Sequence, residues 1–452
     1  MGRIFGTDGI RSKANHYPLT PEMIIRIGRS VATVFGDRPG AHILIGADTR
    51  ASGDMIVSAI NSSICSCGIN VLHAGIIPTP GIAYLTANTD TTVAGIVISA
   101  SHNPYFDNGI KVFDGNGYKL SDEIEAEIES IILDEGSANA TQPNQEIGRI
   151  IQLPDAEDRY LDFLRQCWSK KYDLSGLKLV IDCANGATYR IAPVLFESLG
   201  ADVISLFIHP DGKNINDDCG SEHTRTLAQK VVKTGADLGV AFDGDGDRLA
   251  VVDETGQMLT GDQILAICAN YLKSQGQLRN NVVVNTIMSN IGITMALDRM
   301  EIDNETADVG DRRVMEKMRA TGAVLGGEDS GHIIFLDQHT TGDGLLSALR
   351  LMEVMVRQVK PLSKLSRIMT VAPQALINVA VNSKPDLNEV APIQQIISQA
   401  KSDLNGQGRV LVRYSGTQPL CRVMVEGPTS ELTERYCRKI ADVVSNTIGG
   451  TS

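Results

Sequence analysis

Apolar and polar positions along the chain fall into a rhythm that repeats three times. His42-Ile43-Leu44-Ile45-Gly46 is a short, mostly apolar run, residues 54–67 carry apolar side chains at helical spacing, and Asn70-Val71-Leu72 opens a further apolar run after Gly68. Short apolar runs bounded by turn residues read as buried strands, and a glycine after the last periodic residue reads as a helix stop. The second version begins at Lys178-Leu179-Val180-Ile181-Asp182, continues with helical spacing over 188–199, stops at Gly200 and resumes as a strand over 202–206. Asn281-Val282-Val283-Val284-Asn285 starts the third, with a helix expected over 289–299. Strand, helix and strand within about thirty residues predict parallel strands joined by crossovers.

A helix is also expected after Thr20-Pro21-Glu22, with Thr20 as its N-cap and Pro21 in the first turn. Further helices are expected over 121–133 and 156–168, and the Gly, Asn, Gln and Pro residues of 136–146 read as a linker. After residue 372 the pattern becomes strand (375–381), helix (387–404), two strands around Ser415 (409–413 and 421–426) and helix (430–447). The fold class expected is therefore α/β, with three related α/β domains of mixed or parallel sheets and a C-terminal α+β domain. Boundaries are placed at 1–150, 151–255, 256–370 and 371–452.

At 452 residues the chain is too long for one core, and 42% apolar with 21% charged residues gives ample material for several. The net charge is −13 and no dense Lys/Arg run occurs, so a nucleic acid partner is not expected. No apolar stretch approaches the length of a membrane span, and the glycine-rich, charged start lacks the apolar core of a signal peptide. Eight cysteines lie scattered without Cys-x-x-Cys spacing, as expected of reduced packing thiols in a cytoplasmic protein.

Four stretches carry candidate chemistry. In "SASHNP", Ser101, His102, Asn103 and Pro104 follow the apolar run 93–98, where the plain reading is a turn. In "VAFDGDGDRLAVVD", Asp243, Asp245 and Asp247 alternate with glycines between two apolar runs. Carboxylates so close repel unless a cation sits among them, and oxygen-only ligands favour a hard ion such as Mg²⁺ or Ca²⁺. An EF-hand loop counted from Asp243 fails, because its sixth position is Arg248 where glycine is required. In "GGEDSGHIIF", Glu328, Ser330 and His332 could point the same way if the backbone is extended, an arrangement suited to sugar hydroxyls, or the stretch is a capped loop. In "RVLVRYSGTQPLCRVMVEG", Arg413 and Arg422 flank the turn Ser415-Gly416-Thr417, either as a phosphate cradle or as a hairpin with incidental charge. Arg11 and Lys111, in Thr7-Asp8-Gly9-Ile10-Arg11 and Asn108-Gly109-Ile110-Lys111, could join an anionic centre.

In this order, Ser101-His102-Asn103-Pro104, Asp243-x-Asp245-x-Asp247-Arg248, Glu328-x-Ser330-Gly331-His332 and Arg413-x-Ser415-Gly416-Thr417 resemble the motifs of the α-D-phosphohexomutase family. The opening Phe5-Gly6-Thr7-Asp8-Gly9-Ile10-Arg11 and the form Ser99-Ala100-Ser101 resemble its bacterial amino-sugar branch. The resemblance covers the whole chain and implies four domains around a central cleft, one motif from each. It implies that Ser101 carries a phosphoryl group and, with Asp243, Asp245 and Asp247, binds one Mg²⁺. It further implies that Arg248, Glu328 and Ser330 bind the sugar, and that Arg413, Ser415, Gly416, Thr417 and Arg422 hold the idle phosphate. Arg11, Lys111 and His332 would stand near the transferred group. A sugar phosphate substrate, a hexose 1,6-bisphosphate activator and a homodimer come with the resemblance. The chain departs from the family at Tyr414 and Gln418, where proline and glutamate are usual, and at Asp329, where the amino-sugar branch commonly has glutamine.

Overall fold

The computed structural model describes residues 4–6, 8–36, 38, 40–134, 146–169, 172–415 and 419–449. All of the expected linker except residue 146 lies outside them. The chain forms two compact units, Met1–Met288 with Ile302–Arg367, and Ser289–Glu301 with Ile368–Ser452.

The first unit holds three sheets. Strands β1 (Ile10–Lys13), β2 (His42–Ala47), β3 (Asn70–Ile76), β4 (Thr92–Ile98), β5 (Asp107–Asp114) and β6 (Ile150–Gln152) lie in the order β1-β5-β4-β2-β3-β6. The helix Pro21–Phe35 buries Ile24, Ile27 and Val31, one apolar stripe, in the same core as Ile43, Ile45, Ile96 and Ile98. Thr20 stands at the N-cap of this helix, but its side chain makes no capping bond, so the helix start rests on Pro21 and the buried stripe. The second sheet combines β7 (Lys178–Asp182), β8 (Asp202–Leu206), β9 (Leu238–Phe242), β10 (Leu249–Asp253) and β11 (Met258–Leu259). The third combines β12 (Val282–Thr286), β13 (Asp303–Ala307), β14 (Leu325–Gly327) and β15 (Ile333–Phe335).

One device recurs in all three sheets. Strands β4, β9 and β14 each run parallel to a neighbour, then turn and return antiparallel as β5, β10 and β15. The three connecting loops hold Ser101, the aspartate trio and Glu328 to His332 respectively. Carboxyl ends of parallel strands are where α/β folds open crevices.

The second unit is built on the antiparallel sheet β16 (Gln374–Ala380), β18 (Leu420–Glu426) and β17 (Arg409–Tyr414). Val379, Val423 and Val425 pack on Ile397, Tyr436 and Ile440 from the helices Ala391–Leu404 and Ser430–Ile448. The helix expected in the third repeat, found as Ile291–Arg299, belongs to this unit. Its start is held by the buried Glu426, which accepts from Ile291 N at 3.0 Å and from Asn290 Nδ2 at 3.3 Å.

Candidate active site

The site begins with a strained loop. Every residue of β4 is buried, and the chain must reverse within a few residues to form β5. Ser101 takes φ +54°, the left-handed region that a side chain usually avoids. Its amide donates to Ser99 Oγ at 2.9 Å, and its hydroxyl donates to Asp243 Oδ2 at 2.5 Å. Serine and aspartate trio therefore meet, although they come from different sheets.

The trio occupies the tight turn between Phe242 and Leu249, which are paired in register. Gly246 takes φ +73°, and a Cβ on Gly244 would lie 2.7 Å from the Ser101 carbonyl oxygen. The alternating glycines thus let two backbones touch. All three aspartates are buried, and one oxygen from each lies within 4.8 Å of the others. Burial and the neighbouring Asp247 and Asp245 push the Asp243 carboxyl well above its ordinary value. Burial also works against charge on Asp247, but Lys111 outweighs it and holds that carboxyl well below the ordinary value.

Lys111 lies mid-strand in β5, opposite Val97, with its ammonium 2.9 Å from Asp245 Oδ2, 3.2 Å from Asp247 Oδ2 and 3.1 Å from Asp8 Oδ2. Burial alone would strip its proton, yet Asp245, Asp247 and Asp8 hold its pKa well above the ordinary value. Lys111 is consequently a fixed positive charge. Asp245 Oδ1 and Asp247 Oδ1 are buried without a hydrogen-bond partner. Three converging carboxylates with two unanswered oxygens fit a hard divalent cation, with Asp243, Asp245 and Asp247 as its protein ligands.

Around this centre a cleft of about 550 Å³ is lined by Asp8, Arg11, Ser101, Asp247, Arg248, Asp311, Glu328 and His332, among others. Arg11, opposite Gly109 on β1, pairs with Asp8 and reaches the Ala100 carbonyl at 3.5 Å. Arg248 donates its amide to Asp243 Oδ1 at 3.1 Å and approaches Glu222 at 3.5 Å. His332 is buried with Nδ1 3.8 Å from Asp247 and Nε2 4.0 Å from Asp311. Burial disfavours its charged form, but those two carboxylates prevail and raise its pKa above the ordinary imidazole value.

Of the two readings of 328–332, extended backbone or loop, the structure shows the loop. Gly331 takes φ +87°, and the amides of Gly331 and Glu328 close a turn onto the carbonyls of Glu328 and His332. Glu328 and His332 line the cleft, whereas Ser330 is exposed and is not among its lining residues. Glu328 Oε1 accepts from Gly310 N at 3.0 Å. The departure at Asp329 has a local role, since its carboxylate accepts from Asp262 N, in the first turn of the helix Gly261–Ser274, at 3.3 Å.

In the second unit, Arg413 and Arg422 stand directly opposite each other in the β17–β18 pair. Ser415 N donates to Leu420 O at 2.8 Å, and Lys384 Nζ donates to Ser415 O at 2.8 Å. Tyr414, the other departure in this motif, donates its hydroxyl to Pro385 O at 2.8 Å. Gly416, Thr417 and Gln418 lie outside the described residues.

Sequence reasoning did not single out Asp8, Lys119 or Asp311 as site members. Lys119 bridges Asp8 and Asp311, closing a chain of charges from the Lys111 ammonium to the His332 ring. A signal existed for Asp8 alone, through its glycine-flanked position beside Arg11.

Models of four domains match the chain: phosphoglucomutase/phosphomannomutase alpha/beta/alpha domains I over 2–139, II over 158–256 and III over 260–371, and the C-terminal domain over 376–443. The chain belongs to the phosphoglucomutase/phosphomannomutase family. It is 53% identical, over 99% of its length and 100% of the relative's, to the phosphoglucosamine mutase of Syntrophus aciditrophicus strain SB. Among solved structures, a phosphoglucomutase/phosphomannomutase family protein from Burkholderia thailandensis superposes with TM-score 0.80 at 24% identity, covering 98% of this chain and 97% of that one. The N-acetylphosphoglucosamine mutase of Aspergillus fumigatus, solved with GlcNAc-6P and magnesium, gives TM-score 0.66 at 17% identity over 98% and 95% of the two chains. Among the described residues no helix is long and apolar enough to cross a membrane.

Proposed function

We propose that this enzyme interconverts glucosamine 6-phosphate and glucosamine 1-phosphate by way of a phosphoserine at Ser101 and a bisphosphorylated sugar. The observation that carries the reading is the Ser101 hydroxyl held 2.5 Å from Asp243, inside a buried aspartate trio and an open cleft. The 53% identity to a phosphoglucosamine mutase supports the amino-sugar substrate.

In the first half of the reaction a free sugar hydroxyl attacks the phosphorus of phosphoserine, the bond from phosphorus to Ser101 Oγ breaks, the serine oxygen takes up a proton, and the sugar then carries one phosphate at each end. After the sugar turns end for end, Ser101 Oγ gives up its proton and attacks the opposite phosphorus, the bond from that phosphorus to the sugar oxygen breaks, and the sugar oxygen takes up a proton. Phosphoryl transfer asks the protein mainly for alignment and charge neutralisation. Lys111 and Arg11 supply fixed positive charge beside the transferred group. Bound by Asp243, Asp245, Asp247 and the phosphoserine, a divalent cation would act as a Lewis acid on the phosphoryl oxygens. His332, buried between Asp247 and Asp311, is assigned the proton exchanged with the sugar hydroxyl. Glu328, Ser330 and Arg248 are assigned to the sugar.

The idle phosphate is assigned to Arg413, Ser415, Gly416, Thr417 and Arg422. Two guanidiniums directly opposite on a sheet can share one anion through charge-assisted hydrogen bonds. Magnesium as the cation, a hexose 1,6-bisphosphate as activator, a homodimer and residence in the cytoplasm belong to the same proposal.

The test is turnover on glucosamine, glucose and mannose 6-phosphates with a hexose 1,6-bisphosphate present. The highest kcat/KM is expected on glucosamine 6-phosphate, and preference for glucose or mannose overturns the substrate assignment. Intact mass should show one phosphate on the wild type and none on Ser101→Ala, which should be inactive. Net release of inorganic phosphate as the main product would indicate a phosphatase instead.

A further inference from the structure

Arg50 lies just beyond β2 and is buried, an unusual place for a guanidinium. Its five N–H donors are all used. Nε donates to Asp48 Oδ2 at 2.8 Å, Nη1 to the carbonyls of Pro104 and, at 3.0 Å, Asp107, and Nη2 to those of Ser101 at 3.0 Å and Asn103 at 2.8 Å. Every bond except that to Asp48 ends on the loop 101–107.

The neighbouring groups close the same loop from other sides. Asp48 Oδ2 accepts from Ser99 Oγ at 2.6 Å, and Ser99 Oγ in turn accepts the Ser101 amide at 2.9 Å. From the second sheet's domain, Asn216 Nδ2 donates to the Ser101 carbonyl at 2.8 Å and the Asn103 carbonyl at 3.0 Å. Both backbone polar groups of Ser101 are therefore tied, at a residue whose positive φ would relax if released.

We propose that Arg50 is a positioning residue for phosphoryl transfer. Through Asp48, Ser99 and the loop carbonyls it holds Ser101 Oγ in one place against Asp243, so that the sugar hydroxyl and not water meets the phosphorus in line. The proposal rests on Ser101 being the phosphoryl carrier. When the clamp is loosened, a water oxygen attacks phosphorus, the bond to Ser101 Oγ breaks, inorganic phosphate leaves, and the serine oxygen takes up a proton from that water.

Arg50→Lys keeps a positive charge beside Asp48 but has three donors and no planar fork, so it cannot span these carbonyls. Its kcat on glucosamine 6-phosphate should fall by about 10- to 100-fold, with KM little changed and more inorganic phosphate released per turnover than by the wild type. A purely structural role would lower the folded fraction without raising phosphate release per active site. If Arg50→Lys does not fold, Asn216→Ala removes donors to two of the same carbonyls without burying a lone charge, and should give the same signature more weakly. Folded variants with wild-type kcat and wild-type phosphate release overturn the proposal while leaving the mutase reading intact. A wild type that takes no phosphate on Ser101 from a hexose bisphosphate overturns both.

Discussion

Tyr160, His339 and Asp343 form a buried cluster to which no part in the reaction is assigned, and they make a sharp prediction about pH. His339 Nε2 donates to the Pro80 carbonyl at 2.9 Å, and its Nδ1 accepts from Thr340 N at 2.7 Å. Both ring nitrogens are satisfied in the neutral form, and adding a proton to Nδ1 would break the second bond. Burial accordingly lowers the His339 pKa to about 4 from 6.5. Asp343 accepts from Leu346 N at 3.0 Å and from Tyr160 Oη at 2.8 Å, yet burial raises its pKa to about 6 from 3.8. Between pH 4 and 6 the folded state therefore holds one more proton than the unfolded chain at Asp343, and one fewer at His339. Stability falls with rising pH through the first group and rises through the second, each with a slope of about 1.4 kcal/mol per pH unit. In the wild type the two slopes cancel. Asp343→Asn keeps an oxygen to cap the helix Gly344–Gln358 and removes the falling slope. Relative to wild type its stability should rise by about 3 kcal/mol from pH 4 to 6. His339→Gln should gain relative to wild type as pH falls through the same window. Urea unfolding at half-unit pH steps measures both. Parallel stability curves for all three proteins, or an imidazole that titrates above 6.5 by NMR, would mean that His339 and Asp343 form an ion pair and would refute the reasoning.

A methyl group at Gly244 would meet the Ser101 carbonyl oxygen at 2.7 Å, a backbone atom with no room to retreat. Gly244→Ala should lose about 1–3 kcal/mol of stability and about 100-fold in kcat, measured by urea unfolding and the coupled mutase assay; wild-type turnover would show that the loop tolerates displacement. Stripping divalent ions should abolish turnover, and magnesium at a hundredfold excess over its Kd should raise unfolding free energy by about 3 kcal/mol. Asp245→Asn should weaken that stabilisation, and a melting temperature indifferent to magnesium would remove the case for a cation in the trio.

The parts of the site legible in the sequence were those where one short stretch carries its own contradiction. Three aspartates among glycines make no sense as a plain turn, and their loop sits where the apolar runs 238–242 and 249–252 place it. Asp311 and Lys119 were illegible for the opposite reason. Each is a single charge in an ordinary segment, and the partner that gives it meaning is far away in the chain. Arg50 was not singled out, since nothing local announces that loop carbonyls 101–107 will surround it. The sequence left 328–332 open between extended backbone and loop, and Gly331, free to take positive φ, turned the chain into a loop. The helix Ile291–Arg299 was legible as a helix, but its place in the second unit depends on Glu426, a carboxylate in a strand over a hundred residues later.

Charge balance ties the cation to the phosphoryl group. Around Ser101 stand the carboxylates of Asp8, Asp243, Asp245, Asp247, Asp311 and Glu328 and the fixed cations Arg11, Lys111, Lys119 and Arg248, so carboxylates outnumber cations. A dication would offset that excess of negative charge, and a phosphoserine of about −2 would restore it. Each therefore stabilises the other in a buried site, where an uncompensated charge is costly. Magnesium should consequently bind the phosphorylated enzyme more tightly than the form with a bare Ser101 hydroxyl, because only the former brings the charge that the dication displaces. Calorimetric titration of magnesium into the two forms, separated by ion exchange, decides the point, and equal affinities would show that the aspartate trio holds its ion without help from the phosphate.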